Sequence, residues 1–482
     1  MADENQKLDP SSTTASSAVG MTDCEIQLIY GSDKPEKGYN IPADKIERIT
    51  IKEDFFLPLP TLTIVLNDSG MFFHDVNFQI GNTFYLKMTP VLGDPDLTTD
   101  PVVDSAYVIQ AMEYFYDPDR ADYLYKIHCI YGAEKYLNDI CVWPKIDTLA
   151  GKTISVNKAY TSNDVLEVVM TQAGLKYVAE FQTTPDDNMP WLNSTLTYQE
   201  FAKKIVSHAW IKKDDMPLLY VDRSGVAHYT SLNNLCDAAV IGNFMNATKY
   251  QKIYNHYNNT ENNQEKRNAF KIYDSVSLSN YGFLQNMGGY NTKKYIFNPY
   301  NLKEMNNISY PPVTFNITNM QAITLNDTCF RECQFIDKGI NDKGVQRLAN
   351  ISNRSATQGE TCRNTSTSLH FKQTHENYDF APTHHECVKH SFFQQFAFMT
   401  IPVSDQPGYA QNPKQTLRLG DKISIDFSTI ANETTVQTCN FIISGLVHNF
   451  AFGSKYTIIA TCVTDGIGGV GALKKETKNT QK

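Results

Sequence analysis

A pattern of period two recurs in segments from Cys24 to Thr464, and it constrains the fold more than any other feature of the chain. In Thr61–Leu66, Leu62, Ile64 and Leu66 share one face while Thr61, Thr63 and Val65 share the other. Phe84, Leu86 and Met88 alternate with Thr83, Tyr85 and Lys87. Tyr123, Tyr125, Ile127, Cys129 and Tyr131 alternate with Leu124, Lys126, His128 and Ile130. A period of two sets one face of a strand on a core and leaves the other to solvent or a partner. The 27 Tyr and 26 Phe against 3 Trp favour the same element, because aromatic side chains pack well on a pleated surface.

The predicted fold class is mainly β with a small α+β insert. At about 100–200 residues per domain, 482 residues allow three or four units. Residues 1–22 are polar and read as a flexible tail, as do residues 467–482. Strands separated by Gly, Pro and Asp predict a first barrel over 23–147. The pattern then changes to helical. Thr161 with Asp164 and Thr197 with Glu200 form two capping boxes, and Gly174 is a helix stop. A hairpin, Leu218–Val221 and Val226–Thr230, turns through Asp222-Arg223-Ser224-Gly225 and completes an insert over 148–236. Strand patterning resumes over 237–325 and 392–466, which form a second barrel. Residues 326–391 are a polar insertion or arm, and His384–Gln395 reads as a short helix. Barrel edges and the Tyr-rich stretch 107–131 need partners to cover them.

Several functions are disfavoured. The net charge of −9 lacks the basic footprint of a nucleic-acid binder. No stretch reaches the ~18 apolar residues of a membrane span, and the start of the chain has no signal-peptide pattern. The ten cysteines, scattered from Cys24 to Cys462, read as reduced and mostly buried thiols, and the sequons at Asn193, Asn246 and Asn432 as chance matches. Nucleophile-elbow, phosphate-loop and dinucleotide fingerprints are absent from the sequence, so no enzyme is expected. Carboxylate pairs at Glu53-Asp54, Asp186-Asp187 and Asp214-Asp215 read as solvated. The best metal candidates are Cys329, Cys333, Cys362 and Cys387 with His370, His375, His384, His385 and His390. Their spacing fits no finger, and His385 and His390 would point about 140° apart on a helix. No catalytic, cofactor-binding or metal-ligating residue is assigned, and no cofactor is expected.

Five segments, in order, carry a family resemblance. Ile46–Gly70 contains Glu53, Asp54, Phe55 and Asp68. Phe78–Pro90 opens with Gly81. Leu196–Leu232 is the helix-then-hairpin with Asp222 and Gly225. Leu417–Phe427 holds Gly420 and Asp421, and Ile443–Gly466 holds Gly445, His448, Tyr456 and Asp465. Together they resemble the baseplate central hub proteins of contractile-tailed bacteriophages over most of residues 24–466; residues 326–391 match nothing in that family.

The resemblance implies a structural protein of the virion tail, assembled in the host bacterial cytoplasm. Two tail-tube-like barrels per chain would give a homotrimer with a pseudo-sixfold ring. Its expected partners are the tail tube or tube-initiator proteins, a separate central spike protein, baseplate wedge proteins and, in the lumen, the tape-measure protein. DNA would pass through without being specifically bound. The alternatives are the hub of a type VI-like secretion spike or contractile injection system, and a receptor-binding tail protein.

Overall fold

The computed structural model describes residues 24–34, 38–90, 101–119, 122–143, 159–180, 187–212 and 215–245. From there on it describes 269–271, 277–280, 293–297, 305–309, 346–348, 381–382, 385, 389, 395–402, 417–426, 438–451 and 456–464. Both predicted tails, 1–22 and 467–482, lie outside these residues, as do Asn246 and Asn432.

The first β-rich region contains β1 (Cys24–Tyr30), β2 (Tyr39–Asn40), β3 (Ile46–Asp54), β4 (Thr61–Asn67), β5 (Thr83–Pro90), β6 (Val103–Asp117) and β7 (Asp122–Tyr131). They pair in the order β2-β1-β5-β6-β7-β4-β3. The alternation predicts the buried faces: Leu62, Ile64, Leu66, Phe84, Leu86 and Met88 are all fully buried.

A helical and mixed region follows. It comprises α1 (Glu134–Asn138), α2 (Ser162–Gln172), β8 (Lys176–Ala179), α3 (Tyr198–His208), β9 (Pro217–Val221), β10 (Val226–Ser231) and α4 (Leu232–Asp237). Both capping boxes form as predicted, with Thr161 accepting from Asp164 N and Thr197 from Glu200 N. Gly174 adopts φ +86° after α2, and Leu175 N donates to Met170 O at 3.0 Å, which closes the helix end. The apolar core of this region also takes in Ala133, Tyr136, Cys141 and Trp143.

The remaining described strands are β11 (Val240–Met245), β12 (Ala269–Lys271), β13 (Ser277–Asn280), β14 (Lys293–Phe297), β15 (Met305–Ser309), β16 (Gln346–Leu348), β17 (Gln395–Pro402), β18 (Lys422–Asp426), β19 (Thr438–Ala451) and β20 (Thr457–Thr464). β16, from the polar segment 326–391, pairs with β14 and so adds a strand to a small sheet. The helix expected at His384–Gln395 differs in extent. Helical backbone is already present at Ala381 and Pro382, and Gln395 is the first residue of β17, where its ladder with β20 begins opposite Thr464.

The protein is mainly β, as predicted, and its two β-rich regions share one hydrogen-bonded sheet. The outer edge of β3 pairs with β19 from Arg48 opposite Ala451 to Asp54 opposite Gly445. One buried core consequently contains Leu28, Ile49 and Phe84 from the first region with Ile423, Phe441 and Ile458 from the last. β9 partitions this core from the helical one. Leu218 and Tyr220 face the β-rich core, while Val221, with Leu219, faces the helices.

Candidate assembly interface and the buried clasp behind it

β5 accompanies β6 only as far as Val108, and beyond it Ile109 N donates to Asn82 O. From Ala111 to Asp117, β6 has β7 on one side and, among the described residues, no strand on the other. The outer edge of the hairpin arm from Ala111 to Tyr116 therefore has no strand partner among the described residues. Tyr114 pairs with Tyr125 and Tyr116 with Tyr123, so four tyrosines share one face of the arm. Tyr114 stacks on Tyr123 with ring centroids 5.2 Å apart, and its hydroxyl donates to Asp68 Oδ2 at 3.0 Å. Tyr114, Phe115, Tyr116 and Tyr123 are nonetheless exposed, as are Met71, Phe72 and Ile80 in the loops beside them. Exposed aromatic side chains beside a strand edge that is unpaired among the described residues are a recurring feature of protein–protein contacts.

Behind the arm, the turn between β9 and β10 reaches into the sheet. Asp222 Oδ1 accepts from Ser224 N at 2.9 Å and Val226 N at 3.0 Å, and Gly225 takes φ +73°. A side chain at 225 would run into the Tyr131 ring as well as disfavour that backbone angle. The tight turn aims Arg223 inward, where it is buried. Its Nη1 donates to Glu53 Oε1 at 2.6 Å and to Leu417 O at 3.1 Å, and its Nε donates to Val102 O at 2.9 Å. Its backbone N–H donates to Glu53 Oε2 at 2.8 Å. One side chain thus binds the first β-rich region, the insert and the closing region.

On the far side of Glu53 lies His448, whose Nε2 is 3.4 Å from Oε1 and whose Nδ1 is 2.7 Å from the Tyr456 hydroxyl. Burial pushes the His448 pKa down, so the ring is neutral; it donates from Nε2 and accepts from Tyr456 at Nδ1. For Glu53, burial pushes the carboxyl up, but the Arg223 guanidinium and His448 outweigh it and hold the pKa at about 2. The group is a charged pair in which both carboxylate oxygens of Glu53 accept hydrogen bonds, an arrangement that fixes position.

Three carboxylates differ from the solvated reading of their pairs. Glu53, Asp187 and Asp215 are all buried. Asp187 accepts from Ser162 N at 2.8 Å and Trp210 N at 3.1 Å and also bonds the Ser162 hydroxyl, tying α2 to the end of α3. Asp215 accepts from Met216 N at 2.9 Å and Asn233 N at 3.0 Å. Sequence adjacency does not reveal this, because Arg223, Ser162, Trp210 and Asn233, all from distant segments, supply most of the donors. Asn193 is also buried, and its amide donates to Cys141 O and Leu196 O. Cys24, Cys129, Cys141, Cys236 and Cys462 are buried, as expected. Of the metal candidates, only His385 lies among the described residues; Cys329, Cys333, Cys362, Cys387, His370, His375, His384 and His390 lie outside them.

No protein-family profile matches the chain, and no curated protein matches it. Solved structures do. The 43 kDa tail protein of prophage MuSo2 from Shewanella oneidensis aligns over 91% of this chain and 96% of its own, at 9% identity and a TM-score of 0.47. A tail protein from Neisseria meningitidis MC58 aligns over 92% and 97%, at 9% identity and a TM-score of 0.46. A chain of the Francisella PdpA–VgrG complex aligns over 92% of this chain and 58% of its own, at 9% identity and a TM-score of 0.42. The chain is similar in structure to a prophage tail protein, to a second tail protein and to part of a VgrG complex.

Proposed function

We propose that this chain is a structural hub of a phage contractile-tail baseplate, a homotrimer that joins a sixfold tail tube to a threefold central spike. The observation that carries the reading is the exposed Tyr114–Tyr116 edge of β6 on a body whose two β-rich regions share one sheet. Such a body presents a ready-made ladder to a neighbouring ring member and keeps two barrel units at a fixed angle. Three chains of two units each then make a closed ring of six. The segments that resemble the hub family point the same way. Five of their residues, Glu53, Asp222, Gly225, His448 and Tyr456, surround Arg223 or shape its turn.

On this reading the chain performs no catalysis. It belongs to the virion tail, is assembled in the host cytoplasm, and encloses a channel for DNA and the tape-measure protein. Tube, spike and wedge proteins are its neighbours. Light scattering on the purified protein tests it: the expected mass is about three times the 54.5 kDa of the chain. A monomer that persists at micromolar concentration, with or without a spike protein, overturns it.

A further inference from the structure

A second, separate surface lies where the two cores meet. A cleft of about 410 Å³ opens between the β3–β4 connection, α1, α3, β9 and the helical residues near His385. Its size falls in the range of ligand-binding clefts. Phe56, Pro58, Tyr136, Val206 and Leu219 make its walls apolar. Phe56 is 51% exposed although it sits at the mouth of an apolar cleft.

Two further properties define what fits there. The first is a free strand edge. β9 pairs only with β10 in its three-stranded sheet. Asp222 N donates to Val226 O at 3.0 Å at one end, and Met216 O accepts from Leu232 N at 3.0 Å at the other. Hydrogen-bonded positions alternate along an antiparallel pair. The even-numbered residues of β9 therefore bond to β10, and Leu219 and Val221 turn their N–H and C=O groups away from it, on the cleft side. Among the described residues neither has a backbone partner there. The second property is charge. Among the described residues the lining contains Lys203 and Lys389 and no carboxylate. Lys389 Nζ stands 4.5 Å from the centre of the Phe56 ring, and neither lysine is ion-paired to a described acid.

We propose that this cleft captures an extended, apolar, acidic peptide segment of a partner protein, which adds to β9 as a further strand. The backbone of Leu219 and Val221 would supply the ladder, alternate side chains of the segment would enter the apolar walls, and its carboxylates would meet Lys203 and Lys389. This holds whether or not the chain forms a ring, since the cleft is built within one chain.

The test is fluorescence anisotropy with the full-length chain and two fluorescein-labelled heptapeptides, Gly-Val-Glu-Val-Thr-Val-Glu and its Lys-for-Glu counterpart. Saturable binding of the acidic peptide, about tenfold or more tighter than the basic one, is expected. Leu219→Pro removes an outward N–H and leaves the β9–β10 bonds in place, a position where a strand tolerates proline. It is expected to weaken binding about tenfold or more, as is the charge reversal K203E/K389E. If Leu219→Pro impairs folding, the charge reversal and the peptide pair decide alone. Failure of the acidic peptide to saturate, equal affinity for both peptides, or binding unchanged in both variants overturns the proposal. So does full displacement by decanoate with undiminished decanoate binding to Leu219→Pro, which would make the cleft a site for amphiphilic anions.

Discussion

Arg223 Nη1 lies 2.6 Å from Glu53 Oε1, and the two residues are 170 positions apart in the chain. Each would be an uncompensated charge in the core without the other. Arg223→Met is expected to lower unfolding stability by about 3–5 kcal/mol, because it strands the Glu53 carboxylate. The double change E53Q/R223M removes both charges and is expected to be less destabilising than Arg223→Met alone. Urea unfolding of the two variants and the wild type checks this. A double mutant at least as unstable as the single one would show that the pair matters through shape and not charge.

Stability should peak on the acid side of neutrality. Glu53 has its carboxyl lowered from 4.5 to about 2, so its contribution is present above 4.5 and is lost as pH falls toward 2. Burial raises Asp187 from 3.8 to about 7 and Asp421 to about 6. A raised carboxyl favours the folded state most below 3.8 and loses that advantage as pH climbs to the folded value. His228 adds to the decline. Burial lowers its pKa, but Asp222 and Glu180 outweigh this and raise it from 6.5 to about 9, so its contribution fades between those values. Urea midpoints at constant ionic strength should be highest near pH 4–5, about where the lower window closes and the upper one opens. A midpoint that rises steadily from pH 5 to 9 contradicts these assignments.

The β6 edge makes a prediction that separates assembly from folding. Phe115→Lys with Tyr116→Lys places two charges on an exposed edge, a device that blocks strand pairing. Because both side chains are exposed, the change in stability is expected to stay within about 1 kcal/mol. The mass by light scattering should fall to that of one chain. A trimer that survives the double substitution would place the ring contact elsewhere.

Duplex DNA is expected to pass the proposed ring without being held. The net charge of −9 per chain repels phosphate over roughly a Debye length, about 8 Å at physiological salt. Anisotropy of a labelled duplex titrated with the assembled protein should show no binding at ~0.15 M salt. Saturable micromolar binding that weakens steeply with salt would mean that a basic surface grips the duplex.

Much of the local structure is legible in the residues themselves. Alternation at Leu62, Ile64 and Leu66 identifies a buried face, and Thr161 with Asp164 and Thr197 with Glu200 mark two helix starts correctly. What is not legible is long-range pairing. Nothing near Glu53 in the chain announces Arg223 or His448, so an adjacent carboxylate pair reads as solvated until the fold brings the donors in. The same holds for Asp187, whose partners Ser162 and Trp210 lie on either side of it at more than twenty residues. The short helix α4 also escapes a periodicity reading, because six residues cannot establish a 3.6-residue repeat. The cleft beside β9 is a property of five separate segments and has no signature in any of them.

The ladder between β3 and β19 also sets an order of events during synthesis. Asp54 leaves the ribosome on the order of 400 residues before its partner Gly445. At about 5–20 residues per second, the β3 edge waits roughly 20–80 s for the strand that covers it. Over that interval β3, rich in Ile and lying beside an already formed β4, is open to pairing with any other nascent chain. Chains stalled before Thr438 are expected to be cut by trypsin at Arg48 and Lys52, and complete chains to be spared. Equal protection of both would mean that something other than β19 covers the edge in the interim. Expression yield should therefore depend on how fast the chain between β3 and β19 is made as much as on how stable the finished protein is.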